Sequence, residues 1–310
     1  MEKIFFKNTR EKMVGTVSFV FRIRRLLLFV CIACVVLSAI KTYVVGGTRH
    51  LVIPKALSIK KETENLIIVP GHGVWKCCDV LRKTRRRREI DSLLGDTCWV
   101  LENSQKGGRS VKYFEKHIRE GVKLLEKDPN ALLVFSGGKT KEKAGPVSEA
   151  QSYWWLACTM GWYGVSGDVS SRAATEEYAT DSYQNLLFSV CRFKEITGRY
   201  PRKITVVGLE FKRKRFVELH RGALEYPEES FFYVGIGFGS SEFTDSAYGL
   251  FKKDPHGNKT PELVEKREKR NPFKRTNSFA VSCPELEPLL AQEKKTASPY
   301  IPPWKHPQAK

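Results

Sequence analysis

ALLVFSGGKTKEKAGPVSE, Ala131 to Glu149, decides the fold of this 310-residue chain. An apolar run this short, stopped by Ser136-Gly137-Gly138 and followed by a helical pattern, reads as a strand buried on both faces of a parallel sheet. The loop after such a strand is where open α/β sheets bind ligands. Paired glycines let backbone N–H groups approach an anion or a substrate, and Ser136 and Thr140 set hydroxyls on the same rim. Ordinary strand-to-helix punctuation is the competing reading.

On either side the same alternation continues. Leu66 to Pro70 (LIIVP) reads as a strand ending at Gly71-His72-Gly73, and Val74 to Arg109 as a long irregular, basic segment. Val111, Phe114, Ile118, Val122 and Leu125 fall at helical spacing over Val111 to Lys127, stopped by Asp128-Pro129. Pro146 to Met160 suits a helix with proline near its first turn. Ala173 to Thr197 reads as one long helix ending at Gly198, Ile204 to Val207 as a strand, Arg213 to Leu224 as a helix and Phe231 to Ile236 as a strand. Strands alternating with helices imply right-handed parallel crossovers, hence an α/β, Rossmann-like three-layer sandwich with a mostly parallel sheet. The charged, proline-containing stretch from Asp254 reads as a partly ordered tail.

A 41% apolar content supports a real core, while a formal charge of +19 comes from clusters at Arg82 to Arg88, Lys212 to Arg215 and Lys266 to Arg275. Anionic membrane surfaces or nucleic acid attract such runs, and solvated loops also carry them. Without a recognition helix or basic residues interleaved with aromatics, nucleic acid is not expected as a partner.

The N-terminal residues bear on compartment. After Arg22, Arg24 and Arg25 comes LLLFVCIACVVLSAI, Leu26 to Ile40, then Lys41 and a short apolar stretch to Val45. A tilted helix with Lys41 snorkelling spans on that length, and a cleavable signal peptide is the rival. No small-x-small cleavage site follows Ile40, so residues 26–47 are expected to be a single-pass signal anchor. The basic residues 1–25 then stay cytoplasmic, 48–64 form a linker, and an α/β domain over 65–250 with a tail over 251–310 faces the ER or Golgi lumen. A mitochondrial address is the alternative. Asn258-Lys259-Thr260 is a glycosylation sequon if the domain is lumenal. Eight cysteines show no metal-ligand spacing, so no metal is expected, and their pairing is not legible.

Three loops should converge at the carboxyl edge of the sheet: Gly71-His72-Gly73, Ser136-Gly137-Gly138 and the loop after Val207. Glu177, Asp181 and Asn185 recur at four-residue spacing and so share one side of the expected long helix. Carboxylates one turn apart repel, which raises the pKa of one and suits acid–base work; a solvated helix face is the alternative. His72 is a candidate base, nucleophile or hydrogen bonder. Lys212 and Arg215 are candidate anion clamps, and Glu149 either joins the site or serves the dipole of the helix that it opens. No P-loop, G-x-S-x-G elbow or H-E-x-x-H motif is present.

LIIVPGHG, FSGGKT, Glu149-Ala150, EEYATDSYQN and FKRKR, in that order, resemble the domain-of-unknown-function 218 family, which includes the bacterial envelope proteins SanA, ElyC and YdcF. The likeness is greater to its eukaryotic branch, through Trp99, Gln105, DSYQNLLFS and KREKRNPFKR, and spans Leu66 to Leu290. The matching positions are Gly71, Ser136, Gly137, Gly138, Glu149, Glu177, Asp181, Asn185 and Arg215. Lys212 stands where bacterial members usually carry histidine, which shifts attention to His72 and the carboxylates. The resemblance implies a Rossmann-like fold, often tethered to a membrane, and no established reaction or cofactor. Glycine loops, cations and carboxylates together suit an enzyme, a hydrolase or transferase, acting on a phosphorylated or lipid-linked glycan or envelope intermediate. In that reading the Gly137 and Gly138 N–H groups and Arg215 hold the anion, and Glu177, Asp181 or His72 moves protons. The competing functions are a non-catalytic module for a nucleotide-like ligand such as S-adenosylmethionine and a membrane scaffold.

Overall fold

The computed structural model describes residues 57–76, 95–107, 109–165, 167–238, 244–290 and 301–305. The basic start, the apolar run Leu26 to Ile40, Cys77, Cys78 and Arg82 to Arg88 lie outside these residues. No helix among the described residues is long and apolar enough to cross a membrane.

Five parallel strands form the central sheet: β1 (Asn65–Pro70), β4 (Ala131–Ser136), β5 (Ala173–Glu176), β6 (Lys203–Gly208) and β7 (Phe231–Gly235), in the order β5-β4-β1-β6-β7. A small antiparallel pair, β2 (Val74–Trp75) and β3 (Trp99–Val100), stands apart. Side-chain alternation along each strand feeds two cores on opposite faces of the sheet. On one face Ile67, Val69, Leu133 and Phe135 meet α1 (Arg109–Lys127) and α2 (Glu149–Thr159). On the other, Leu66, Ile68, Leu132, Val134, Ile204 and Val206 meet α3 (Ser182–Thr197). All five spaced apolar residues of α1 are buried, so its helical periodicity was a direct record of its buried face.

The chain steps outward from β1 through β4 to β5, then α3 carries it back to place β6 on the free side of β1. The connectivity therefore reverses between β1 and β6, where open parallel sheets form a crevice at their carboxyl ends. Register levels the rim beside it: Pro70 pairs with Ser136 and Ser136 with Glu176.

Two expectations are corrected. The long helix from Ala173 does not exist: Ala173–Glu176 is the edge strand β5, and α3 starts at Ser182 with Asp181 as its N-cap, accepting from Gln184 N–H at 2.8 Å. Four residues at a sheet edge are too few to display a period. The helix expected over Arg213 to Leu224 is present, continuous over residues 213–223, with a π-helical turn at Arg215–His220 running into the short α4 (Arg221–Ala223).

The second correction concerns the tail. After α5 (Tyr248–Lys253), residues 254–290 carry α6 (Pro261–Lys269), α7 (Phe279–Ser282) and α8 (Glu287–Leu290). Leu263, Phe279, Cys283, Leu286 and Leu289 from this segment are buried in the α3-side core. Charge and proline dominate its composition, but these few apolar residues dock it. Part of the expected linker also adheres, with Ser58 N–H donating to the Ser171 carbonyl at 2.8 Å.

Candidate active site at the β1/β6 crevice

A cavity of about 340 Å³ opens at the reversal point. Gly71 and His72 from β1, Leu209 and Lys212 from β6, Asp181 and Asn185 at the start of α3, and Lys266 and Arg270 from the C-terminal segment all line it. Of the residues singled out from sequence, Gly71, His72, Thr140, Glu149, Asp181, Asn185, Lys212 and Arg215 reach this one cavity. Gly73, Ser136, Gly137, Gly138 and Glu177 do not line it.

The Ser136-Gly137-Gly138 loop is structural. Gly137 N–H donates to the Glu176 carbonyl at 3.0 Å and Gly138 N–H to the Ala179 carbonyl at 2.7 Å, while the carbonyls of both glycines accept from the first amides of α2. These donors are spent inside the protein, which corrects the expectation that they hold an anion. Gly71 N–H is also taken, by the Ser136 carbonyl at 2.7 Å. A Cβ on Gly71 would meet the Glu149 Cβ at 2.5 Å, and one on Gly137 would meet it at 2.9 Å. The glycines are there to admit Glu149. Its carboxylate, buried between them, accepts from the Thr140 hydroxyl and faces the cavity. Gly73 instead abuts Leu101 and the Val100 carbonyl.

Beneath this loop lies Glu176, a residue not singled out from sequence because it falls at the end of the unforeseen strand. Its carboxylate accepts from the Ser136 hydroxyl at 2.6 Å and from the Tyr178 and Ala179 amides at 2.6 and 3.0 Å. Burial pushes its pKa up to about 7, outweighing these bonds. Glu177 turns elsewhere: its side chain accepts from Thr175, its carbonyl accepts from Arg275, and it lines a separate recess. The Glu177–Asp181 carboxylate pair is thereby dissolved.

Most charges in the cavity are matched. Arg215 is buried and grips Asp245 through two bonds of 2.6 and 2.9 Å, with a third to Ser182 Oγ at 3.2 Å. Asp181, besides capping α3, pairs with Arg267 at 2.5 Å. Arg270 pairs with Glu102 at 2.8 Å, and Lys141 with the same carboxylate at 2.7 Å. Burial raises the Glu102 pKa, but the Arg270 charge and the Lys141 hydrogen bond prevail and bring it down to about 2. The candidate clamp Arg215 and candidate base Asp181 are thus both committed to counter-ions. Their partners are Asp245, which sits in an irregular stretch and was not singled out from sequence, and Arg267, which was noted only as part of the basic run Lys266 to Arg275.

Two cavity lysines lack such partners among the described residues. Lys212 Nζ stands 3.3 Å from His72 Nδ1, and burial, then the Arg215 and Arg270 charges, push its pKa down to about 7. Lys266 makes no ion pair among the described residues; burial and the charges of Arg270 and Arg215 lower it as well. His72 is buried, its carbonyl accepts from Gln105 Nε2 at 2.7 Å, and its Nε2 has no partner among the described residues. Burial, then the Lys212 and His117 charges, hold it neutral, well below the usual histidine range. After internal pairs are set aside, Lys212, Lys266 and Glu149 are the charged groups left facing the space.

Cys98 is disulfide-bonded, whereas Cys158, Cys191 and Cys283 are free thiols. The basic runs are equally specific: from Lys212 to Arg215 the chain supplies one cavity lysine and two ion-paired arginines, Arg213 to Glu210 and Arg215 to Asp245. In the second run Arg275 stacks over the Tyr178 ring at 4.3 Å.

The uncharacterized protein YOR238W of Saccharomyces cerevisiae is 30% identical to this chain over 271 residues, covering 71% of the chain and 87% of the yeast protein. The chain belongs to the same family as that protein. No protein-family profile matches the chain, and no solved structure matches it.

The Glu176 carboxyl yields a pH prediction. Because its folded pKa of about 7 lies above the ordinary 4.5, the folded protein keeps this proton while the unfolded chain loses it, so stability falls as pH rises through that window. Urea unfolding should show wild type losing roughly 3 kcal/mol more than Glu176→Gln between pH 4 and pH 8. Parallel losses in the two proteins would contradict a buried, protonated Glu176.

Proposed function

We propose that the crevice binds a phosphorylated small molecule or lipid-linked intermediate and that the chain is a phosphoryl-transferring or phosphoester-hydrolysing enzyme of the domain-of-unknown-function 218 type, with a Rossmann-like sandwich. The observation that carries this reading is Lys212, a lysine that has no carboxylate partner among the described residues and is held near pH 7 at the point where the sheet's connectivity reverses. A bound phosphate supplies the counter-charge that the protein withholds from Lys212 and Lys266. In the hydrolytic form, a water oxygen bonds to phosphorus as the ester O–P bond breaks. Glu149 takes the water proton, and the Lys212 ammonium gives a proton to the leaving oxygen. A pKa of about 7 suits Lys212 to that exchange, and neutral His72 accepts a hydrogen bond from it without adding charge.

A binding module for a nucleotide-like ligand is the second reading, favoured by the aromatic part of the same wall. Phe114, Phe211 and Phe238 line the cavity beside the cations and give it an apolar, aromatic stretch that suits a planar ring.

Full-length protein in detergent micelles, titrated calorimetrically with glycerol phosphate and S-adenosylmethionine and assayed for phosphate release, separates the two. The enzyme reading expects glycerol phosphate binding that weakens at least tenfold in Lys212→Met, and phosphate release that falls at least a hundredfold in Glu149→Gln with binding retained. Binding of S-adenosylmethionine alone, without phosphate release, supports the module; failure of both ligands to bind rejects the crevice as this site.

We also propose a single-pass anchor at Leu26–Ile40 with the α/β domain in the ER or Golgi lumen. The disulfide at Cys98 suits an oxidising compartment. Endoglycosidase-sensitive mobility that disappears in Asn258→Gln is the expected result, and recovery of the domain inside mitochondria would overturn it.

A further inference from the structure

A second, more open chamber of about 640 Å³ adjoins the crevice. Glu102, Ser104, Thr140, Lys266 and Arg270 line both spaces, so one continues into the other. Its remaining charges are weighted to one sign: Lys141, Lys143 and Lys269 against Glu142. Glu102 is already shared by Arg270 and Lys141. Lys143 and Lys269 are exposed and, like Lys266, make no ion pair among the described residues. The arrangement is therefore a line of cations running outward from Lys212 through Lys266, which borders both spaces, to Lys143 and Lys269, interrupted by two carboxylates: Glu102, whose charge is spent, and the exposed Glu142. Like charges lining adjoining spaces repel, and an extended anion relieves that repulsion along its whole length. One phosphate satisfies only the inner end.

We propose that the ligand carries two linked phosphates, a diphosphate, with one phosphoryl group at Lys212 in the inner chamber and the other between Lys266 and the Lys143/Lys269 mouth. This assignment rests on the phosphate reading of the crevice and extends it to a substrate class. Lys266 is the joint between the two positions, since it feels the charges of both Arg215 on the inner side and Arg270 on the shared wall. Arg270 and Lys141, tied to Glu102, form the fixed wall of the outer position, and Lys143 and Lys269 close on the terminal phosphate from the open side. A diphosphate of this kind comes either from a soluble metabolite or from a lipid headgroup, and the same cation line reads both.

Calorimetry on the full-length chain in micelles, with methylphosphonate and the non-hydrolysable methylenediphosphonate as probes, tests the second position. Methylenediphosphonate should bind at least ten times more tightly than methylphosphonate, and the double variant Lys143→Ala/Lys269→Ala should erase that advantage while leaving methylphosphonate affinity within twofold of wild type. Methylphosphonate binding with no advantage for the diphosphonate, or an advantage that survives the double substitution, overturns the second position and leaves the crevice reading standing. Absence of binding by both probes rejects the two together. Phosphatidylcholine vesicles with and without a polyprenyl diphosphate distinguish the sources: recruitment by the lipid that methylenediphosphonate competes away identifies a headgroup, and binding confined to the soluble probe identifies a metabolite.

Discussion

Glu149 wedged between two glycine backbones is the contact on which the architecture of the site depends. A side chain on Gly71 or Gly137 would occupy the space of its Cβ and carboxylate, so the ends of β1 and β4 approach one another only because both residues are bare. With Glu149 in place, the opening amides of α2 bond the Gly137 and Gly138 carbonyls, and Gly71 N–H bonds Ser136. The glycine loop thereby becomes rigid and self-satisfied. Recognition passes to side chains, because no backbone donors remain there to cradle a ligand.

The charges follow from that transfer. Three arginines at the crevice are neutralised by buried or half-buried carboxylates, Arg215 by Asp245, Arg267 by Asp181 and Arg270 by Glu102. Such pairs are costly to desolvate and costlier to break, which holds α3, α6 and the π-helical turn in fixed relation around the cavity. They also surround Lys212 and Lys266 with positive potential that the nearby acids Asp245, Glu102 and Asp181 offset only in part. The C-terminal segment contributes Lys266, Arg267 and Arg270, so the docking of Leu263 and Phe279 into the core is a condition of the site's charge.

The central strands were legible as short apolar runs stopped by glycine, because both of their faces are buried, and α1 because burial imposes a period of 3.6 residues on it. Proximity of His72, Glu149, Asn185 and Lys212 at the carboxyl edge was legible too, since parallel topology alone brings those loops together. Two things were not. β5 is a four-residue edge strand whose sequence, AATE, continues without a break signal toward α3, and misreading it gave Glu177 a helix face that it does not have. The ion pairs join residues as far apart as Glu102 and Arg270 or Asp181 and Arg267, and no local pattern reports which cation meets which acid across that distance. For that reason Arg215 and Asp181 looked available in sequence, whereas the structure leaves Lys212, Lys266 and Glu149.

At the centre of this account is a lysine kept near neutrality by burial and like charge, awaiting an anion. NMR of full-length protein labelled with 13C at lysine Cε, assigned by comparison with Lys212→Met, reads that state directly. The account predicts a Lys212 midpoint near pH 7 in the free protein that moves upward when methylphosphonate is added. An ordinary lysine midpoint near about 10.4, unmoved by the anion, would contradict it.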